Sequence, residues 1–277
     1  MPVDDRATPP APDVAATPVD DGTTPPSPDA AAAPIDDGTT PPTPPTLHLV
    51  SAGVSLPTVT LGAAAILADA DVVLYDDLAS HALPLVRAGA TLLPVGKRGG
   101  GPSTPQADTS ALAAACAKAR TVRPPPDATA GYAPTASAAG VRRAVVVRLK
   151  SGDAGVYGRA AEEVGAVVAA GVAVAVHPGV CSVTAAAAAA GLPLTVRGVS
   201  DAFVVASGHA PGALDYGVLA SVDTVVLLMA TRCLPTICGR LVGEGGRAGG
   251  TPIAVIRDGG GDGRWEGVSL TPHGGGD

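Results

Sequence analysis

The sequence predicts an α/β protein with a parallel sheet covered by helices on both faces. Short β-branched runs alternate with Ala-rich helical stretches from residue 46 onward, and aromatic residues make up only 2% of the chain. Strand, helix and strand at this spacing are typical of parallel sheets with apolar cores. The 277 residues are enough for one large or two modest domains.

The strands are predicted where short β-branched runs stand between turn-forming residues. In chain order they are Thr46–Val50, Val72–Tyr75, Thr91–Val95, Val145–Leu149, Val172–Val176, Ala202–Ser207, Thr224–Leu228 and Ile253–Arg257. Helices are predicted in Ala-rich intervals between them, at Leu61–Asp69, Ser110–Ala119 and Ala160–Ala170. Because such folds bind ligands at the carboxyl ends of their strands, the loops after the strands are the candidate site.

An uncharged stretch between Glu163 and Arg197 raises the question of a transmembrane helix. Gly171 ends the preceding helix, and the His-Pro-Gly sequence at 177–179 interrupts any apolar helix of about 20 residues. We therefore predict a buried helix, a central strand and an Ala-rich helix here, and no membrane partner.

Two segments have compositions that predict no packed structure. Residues 1–45 repeat a Pro- and Asp-rich unit with a period of 16, and they hold too few large apolar groups to order a chain. We predict that they form a disordered tail. Residues 121–140 are rich in Pro, Ala and Thr between a helix and a strand, which indicates a solvated loop insertion.

Charge and cysteine content exclude several function classes. The formal net charge is −7, and residues 1–45 account for it with eight Asp and one Arg. The remaining chain is neutral without a basic stripe, so we expect no nucleic-acid partner. Four cysteines stand without a CxxC pair or zinc spacing, which predicts a reduced compartment and no metal site.

No targeting signal is recognisable at the N-terminus. Transit peptides are basic and poor in acidic residues, and secretory signals need an apolar core, whereas this segment is acidic and Pro-rich. We expect a cytoplasmic location, or the plastid stroma if the source is a photosynthetic eukaryote.

The segment from Val145 to Glu163, which includes the stretch 148–163, combines an apolar strand, a loop with Gly152, Gly155 and Gly158, and a helix opened by acidic residues. This order is typical of a turn that binds an anion or cofactor, although a Gly-rich strand-to-helix loop is by itself more often only a tight turn. The dinucleotide pattern GxGxxG and the Walker lysine are absent. The neighbouring motifs must therefore indicate the ligand.

Seven motifs, that segment among them, follow one another along the chain. They are LYDDLAS (74–80), VGKRGG (95–100), RLKSGDAGVYGRAAEE (148–163), HPGVCSVTAA (177–186), GLPLTVRG (191–198), SGH (207–209) and LLMA (227–230). In their order and spacing, from Leu47 to Leu270, the chain resembles the tetrapyrrole methylase family. The VGKR element is particularly associated with the uroporphyrinogen-III C-methyltransferases of that family.

The resemblance implies two αβα domains of the tetrapyrrole methylase type, at residues 46–192 and 193–277. It implies a homodimer in which S-adenosylmethionine lies in the cleft between the domains. The implied reaction is transfer of methyl groups from this donor to uroporphyrinogen III, which gives precorrin-2 for sirohaem or corrinoid synthesis.

The resemblance also implies roles for individual residues. Asp76 stands where the family has its proton acceptor, and Lys97 where it has its proton donor. The cofactor would contact Val54, Ser151, Gly152, Asp153, Val156, Cys181, Ser182, Met229 and Gly259.

The implied substrate carries several carboxylates, which planar guanidinium groups bind well. Arg98, Arg159 and Arg197 lie in matched motifs and are the substrate-binding candidates, although each could equally be a solvated surface residue. Asp76 could be only a helix N-cap, and the adjacent Asp77 could serve in its place.

The chain departs from the family pattern in four places. Residues 51–57 lack the Pro and Asp of the family's GAGPGDP loop, and Ser151 and Ala154 replace a Gly and a Pro. Val196 replaces the His of LTHRG, and the chain stops soon after GVSL, so we expect an incomplete C-terminal domain in comparison with the family. A non-catalytic degenerate or truncated copy that retains the fold and cofactor binding is therefore a second hypothesis. A methylase of another corrin intermediate is a third, which VGKR and YDDLAS disfavour.

Overall fold

A computed structural model describes residues 44–96, 105–119, 121–122 and 142–256. The predicted tail lies outside the described residues except for its last two, and so do residues 123–140 of the predicted insertion. The predicted α/β class is confirmed, because strands of two parallel sheets alternate with helices.

The described elements follow the predicted alternation closely. The strands are β1 (Thr46–Ser51), β2 (Val72–Tyr75), β3 (Thr91–Pro94), β4 (Thr121–Val122), β5 (Arg142–Arg143), β6 (Val146–Lys150), β7 (Ala173–His177), β8 (Phe203–Ser207) and β9 (Thr224–Leu228). The helices are α1 (Leu61–Asp69), α2 (Gln106–Ala119), α3 (Ala160–Ala169), α4 (Ser182–Ala189), α5 (Tyr216–Ser221) and α6 (Leu234–Gly243). Short 3₁₀ segments lie at Leu56–Thr58, Asp77–Leu85 and Pro211–Ala213.

The larger sheet is parallel and has the strand order β3-β2-β6-β1-β7. β1 lies between β6 and β7, so the carboxyl ends of these three strands meet at one edge of the sheet. The direction in which strands are added to the sheet also changes at β1. β2, β3 and β6 lie on one side of β1, and β7 lies on its other side. Open parallel sheets bind ligands at such a point.

Helices cover both faces of the larger sheet, which explains why its inner strands are largely apolar. Successive side chains along a strand point to opposite faces. One face contributes Leu47, Val72, Leu74 and Val146, which pack on Ala113, Ala114 and Ala117 of α2 and Val167 of α3. The other contributes Val50, Val73, Val147 and Leu149, which pack on Ala63, Ile66 and Leu67 of α1.

The smaller sheet pairs β8 with β9 in parallel, from Phe203 opposite Thr224 to Ser207 opposite Leu228. Its core is Ala206, Tyr216, Leu219, Ala230, Ile237 and Leu241. The predicted strand Ile253–Arg257 is wrong over its described part, since residues 253–256 have no strand structure and pair with neither β8 nor β9. β-branched composition alone does not make a strand, because a strand needs a neighbour to bond its backbone.

Three further predictions need correction. β7, predicted as a central strand, lies at an edge of the described sheet, and Val176 is 57% exposed there. α2 begins at Gln106 rather than Ser110, because Pro105 starts the helix and accepts a hydrogen bond from Thr109 at 3.1 Å. The first two residues of the predicted insertion are not in a loop but form β4, which pairs antiparallel with β5.

None of the helices in the described part of the chain is both long and apolar enough to span a membrane.

Two histidine rings stack between β1 and β7. Nδ1 of His48 lies 3.1 Å from Nε2 of His177, and the ring centroids are 5.3 Å apart. Burial and then the charge of His177 lower the pKa of His48, and burial lowers the pKa of His177. The folded state therefore favours the neutral form of both rings.

This pair predicts a loss of stability in mild acid. The unfolded chain takes up protons at its ordinary His pKa of about 6.5, above the lowered folded values. The stabilisation is therefore complete above about pH 6.5 and is lost as the pH falls below it. We expect the urea concentration at the unfolding midpoint to be lower at pH 5.5 than at pH 7.5, and this decrease to be smaller in His48→Gln. An equal fall in both proteins would contradict this assignment.

Candidate functional site

Loops after β1, β6 and β7 meet at the carboxyl edge of the larger sheet. Gly53 and Gly152 form a two-way backbone bridge, in which Gly53 N–H donates to the Gly152 carbonyl at 3.1 Å and Gly152 N–H donates back at 2.7 Å. Gly152 has a φ of +66° and Gly53 a φ of +68°, which strains residues with a side chain. Two glycines therefore hold the first two loops together.

Gly179 fits the third loop against the other two. A Cβ at this position would lie 2.5 Å from the Gly152 carbonyl oxygen and 2.7 Å from Cβ of Ser51. Only a residue without a side chain allows this approach. An ideal Cβ on Gly152 would stand 3.9 Å from the backbone nitrogen of Ser182, so the predicted cofactor residues of two motifs come together.

Asp153 ties the loops together through both of its carboxylate oxygens. Oδ1 accepts from Gly155 N–H at 2.8 Å, and Oδ2 accepts from Gly179 N–H at 3.1 Å. The buried Ser51 hydroxyl accepts from Ala154 N–H at 3.0 Å. Sequence reasoning missed Ser51 and Gly179, although Gly179 was visible within the HPGVCS motif.

The remaining predicted cofactor residues of the larger sheet lie on the same loops. Val54 is half-buried, and its N–H donates to the Thr58 hydroxyl at 2.9 Å. Val156 is 38% exposed, and its N–H donates to the Asp153 carbonyl at 3.1 Å. Cys181 stands at the N-cap position of α4 without a side-chain bond to the helix, and Ser182 is the first residue of that helix.

Tyr157 connects the Gly-rich loop to the smaller sheet. Its hydroxyl donates to the Val205 carbonyl of β8 at 3.3 Å, and its φ is +54°. Met229, after β9, also has a positive φ, of +58°, and is 57% exposed. Gly208 packs closely against the next residue, Ala230, since a Cβ at Gly208 would lie 2.5 Å from Cβ of Ala230. The predicted cofactor residue Gly259 is outside the described residues.

Asp76 follows β2 and has two contacts. Its Oδ1 accepts from Ala79 N–H at 3.2 Å, as expected of a helix N-cap. Its Oδ2 lies 3.5 Å from an Arg148 guanidinium nitrogen, and the side chain is 27% exposed. Asp76 is therefore a helix N-cap, as the alternative prediction had it, but the cap uses only Oδ1 and leaves Oδ2 beside Arg148.

The VGKR motif begins beside this carboxylate. A Cβ at Gly96 would lie 2.8 Å from Cβ of Asp76, so the two motifs that hold the predicted acceptor and donor are in contact. The predicted donor Lys97 and the predicted substrate residue Arg98 both lie outside the described residues.

A buried charge network lies behind Asp76 and was not predicted. Arg148 and Lys150 occupy alternate positions of β6, and both contact Glu163 of α3: Arg148 Nε is 3.2 Å from Oε2, and the Lys150 ammonium is bonded to Oε1. Gln106 donates to Oε1 at 2.8 Å. Burial and then the charge of Arg148 lower the pKa of Lys150, while Glu163 and Asp76 raise it.

The structure does not bring the other predicted substrate residues to this network. Arg159 is exposed and paired with Glu162, a hydrogen bond that raises the pKa of the arginine. Arg197 is exposed in a turn closed by the bridge between Val196 and Ser200. Within residues 44–96, 105–119 and 142–256, no three His, Cys, Asp or Glu side chains cluster as a metal site would require.

The loops, the strand order and the carboxylate occur on a chain with a clear family match. The family model described as Tetrapyrrole (Corrin/Porphyrin) Methylases matches residues 46–264. The chain belongs to the tetrapyrrole methylase family. Membership confirms the predicted family and fold, and with them the predicted enzyme class, a methyltransferase whose methyl donor is S-adenosylmethionine.

Individual members of the family are similar over most of this chain. A uroporphyrinogen-III C-methyltransferase of Synechococcus elongatus is 37% identical over 214 residues, which cover 76% of this chain and 78% of that protein. Siroheme synthase 1 of Klebsiella pneumoniae is 38% identical over 197 residues, which cover 69% of this chain but only 36% of that protein. This chain therefore spans just over a third of that synthase.

A solved structure of the family aligns with the same part of the chain. It is the uroporphyrin-III C-methyltransferase of Thermus thermophilus complexed with S-adenosylhomocysteine. That protein is 33% identical with a TM-score of 0.56, and the match covers 75% of each chain.

Proposed function

We propose that this tetrapyrrole methylase transfers methyl groups from S-adenosylmethionine to uroporphyrinogen III and yields precorrin-2. The observation that carries the proposal is the position of Asp76, a partly exposed carboxylate in contact with the VGKR motif and the RLK strand. The similarity to a uroporphyrinogen-III C-methyltransferase over 78% of that relative's length supports the same substrate.

The three glycine-tied loops would hold the methyl donor. A sulfonium methyl is already electrophilic, so the protein mainly has to align this methyl with a nucleophilic carbon. Ser151, Gly152, Cys181 and Ser182 line adjoining loops and would contact the donor. Asp153 would contact the donor as well, and it fixes the loops because backbone N–H groups of Gly155 and Gly179 each donate to one of its oxygens.

Asp76 would complete the transfer by accepting a proton. The pyrrole carbon forms a bond to the methyl as the sulfur–methyl bond breaks, and the ring becomes cationic. The methylated carbon has no hydrogen to lose, so a proton leaves another atom of the cationic macrocycle, and its transfer to a carboxylate gives a neutral methylated product. Arg159 and Arg197 are exposed and would bind the substrate's carboxylates, together with Arg98, and Lys97 would supply a proton elsewhere on the macrocycle.

Mass spectrometry tests the proposal. The folded chain is incubated with S-adenosylmethionine and uroporphyrinogen III, and a product heavier by one or two methyl groups is expected. An unchanged substrate mass, from protein that binds S-adenosylhomocysteine in calorimetry, would contradict the proposal and favour the non-catalytic hypothesis. A homodimer is also proposed, and light scattering would measure its mass.

Gly179→Ala is expected to weaken S-adenosylhomocysteine binding by about tenfold, the equivalent of about 1.4 kcal/mol. The added methyl would overlap the Gly152 carbonyl and Ser51, and the loops would have to separate. Calorimetry measures the loss.

Gly165→Ala is the matched control for this glycine substitution. Gly165 lies in α3, and nothing stands within 4 Å of its Cβ position, so Ala should stabilise the helix by about 0.5–1 kcal/mol without changing the affinity. Equal affinity in the two variants would show that the close packing of Gly179 does not shape the binding loops.

A further inference from the structure

Asp76, Arg148, Lys150 and Glu163 form a cluster of four charged residues, in which Asp76 is the most exposed to solvent. Its side chain is 27% exposed, whereas those of Arg148, Glu163 and Lys150 are 6%, 4% and 8% exposed. Two cations and two anions make the cluster neutral, which is the arrangement that buried charges require. The Asp76 carboxylate is therefore the part of the cluster that a substrate could contact at the predicted site.

Arg148 connects Asp76 to the buried part, and each of its guanidinium nitrogens has a partner. Nε lies 3.2 Å from Oε2 of Glu163, and Nη1 donates to the Leu149 carbonyl at 2.8 Å. Nη2 lies 3.5 Å from Oε1 of Glu163 and 3.5 Å from Oδ2 of Asp76. These contacts fix the plane of the guanidinium group, so it has little freedom to follow a moving carboxylate.

Both oxygens of the Asp76 carboxylate are consequently restrained. The N-cap bond from Ala79 restrains Oδ1, and the charge of Arg148 restrains Oδ2. Without Arg148, the cap alone would leave the carboxylate free to rotate about its bond to Cβ. A general base must lie within hydrogen-bond reach of the proton that it removes, so this rotation matters for turnover.

We propose that Arg148 is a positioning residue that orients the Asp76 carboxylate towards the substrate without contacting the substrate itself. The inference rests on the proposed function, in which Asp76 accepts the proton. Glu163 and Lys150 support it indirectly, because they hold the guanidinium group in place and balance its charge.

Arg148→Met and Arg148→Lys test the proposal with Gln106→Ala as the control. Gln106 donates to the same Glu163 carboxylate from the other side and has no contact with Asp76. We expect both Arg148 variants to lower kcat, the Met variant by roughly 10²-fold, as a misplacement of about 1 Å can do. KM and S-adenosylhomocysteine affinity should stay within about twofold, and Gln106→Ala should keep its kcat.

A double variant separates positioning from a general structural role. If Arg148 acts through Asp76, Arg148→Lys should lower kcat no further once Asp76→Asn is present. The same fold loss on both backgrounds, or a parallel loss of S-adenosylhomocysteine affinity, would overturn the proposal. Arg148→Lys keeps a cation beside Glu163, so the cycle remains available if Arg148→Met does not fold.

A crystal structure of Arg148→Lys gives a readout that does not depend on turnover. We expect the Asp76 carboxylate to rotate while Oδ1 or Oδ2 still accepts from Ala79. An unchanged carboxylate would overturn the positioning role. Absence of methyl transfer by the unaltered protein would instead overturn the proposed function, and the position of the carboxylate would still decide the role of Arg148.

Discussion

Glu163→Ala is expected to destabilise the folded protein by about 3–5 kcal/mol, which is a large part of the stability of an ordinary domain. The substitution leaves two buried cations, Arg148 and Lys150, facing each other without the carboxylate that both contact. Gln106 also loses its acceptor. Urea unfolding followed by circular dichroism measures the change as a shift of the midpoint.

Glu162→Ala is the matched control for this substitution. Glu162 is the preceding residue of α3, but its carboxylate is exposed and pairs with Arg159 on the surface. Water screens such a pair, so its loss should hardly move the unfolding midpoint. Equal midpoints for the two variants would mean that Glu163 is solvated and that the buried network does not exist in solution.

The sheet was predictable because its strands carry a local signal. Val72–Tyr75 and Thr224–Leu228 were predicted with the bounds that the structure has. The predicted bounds of β1, β3 and β8 differ by one residue at one end, and those of β6 and β7 are shifted by one residue at both ends. Burial of the larger sheet on both faces makes most residues of its strands apolar and β-branched. The segment at 253–256 has the same composition but no partner strand in the described residues, and local composition cannot reveal a missing neighbour.

The site was predictable only in part, because its motifs resemble the family while its contacts depend on the fold. Gly152 and Asp153 lie where the resemblance placed the cofactor loop, but their roles as cofactor ligands stay predictions. The Asp153 carboxylate binds backbone groups of two loops, which no spacing in the sequence indicates. Lys97, Arg98 and Gly259 lie outside the described residues, so their roles also stay predictions.

The buried charge network was not predicted from the sequence, and the reason lies in how its residues are placed. Arg148 and Lys150 stand two residues apart on a strand, and such cations usually face solvent at a sheet edge or surface. Here β6 is an inner strand, and α3 brings Glu163 over both of them. The sequence contains all three residues, but only the packing of α3 on β6 makes them one cluster.

Asp76→Asn is expected to lower kcat by about 10²–10⁴-fold, the range attributed to one general base. The amide keeps an oxygen for the N-cap bond from Ala79 and has nearly the shape of the carboxylate. It cannot accept the proton that the methylated ring must release. S-adenosylhomocysteine affinity should therefore stay close to that of the unaltered protein, and Asp76→Ala, which also loses the N-cap bond, should lose turnover and more stability than Asp76→Asn.

Asp77→Asn distinguishes the two adjacent carboxylates. Asp77 is exposed and lies in the first turn of the 3₁₀ segment, whereas Asp76 is half-buried beside Arg148 and Gly96. Single-turnover kinetics should show fast formation of the neutral methylated product in Asp77→Asn and slow formation in Asp76→Asn. The reverse order would assign the proton to Asp77.

The Asn side chain of Asp76→Asn still caps the helix, so this variant removes only the negative charge and the basic oxygen. Equal losses of turnover and cofactor affinity in Asp76→Asn would therefore mean that Asp76 has a structural role and does not accept the proton.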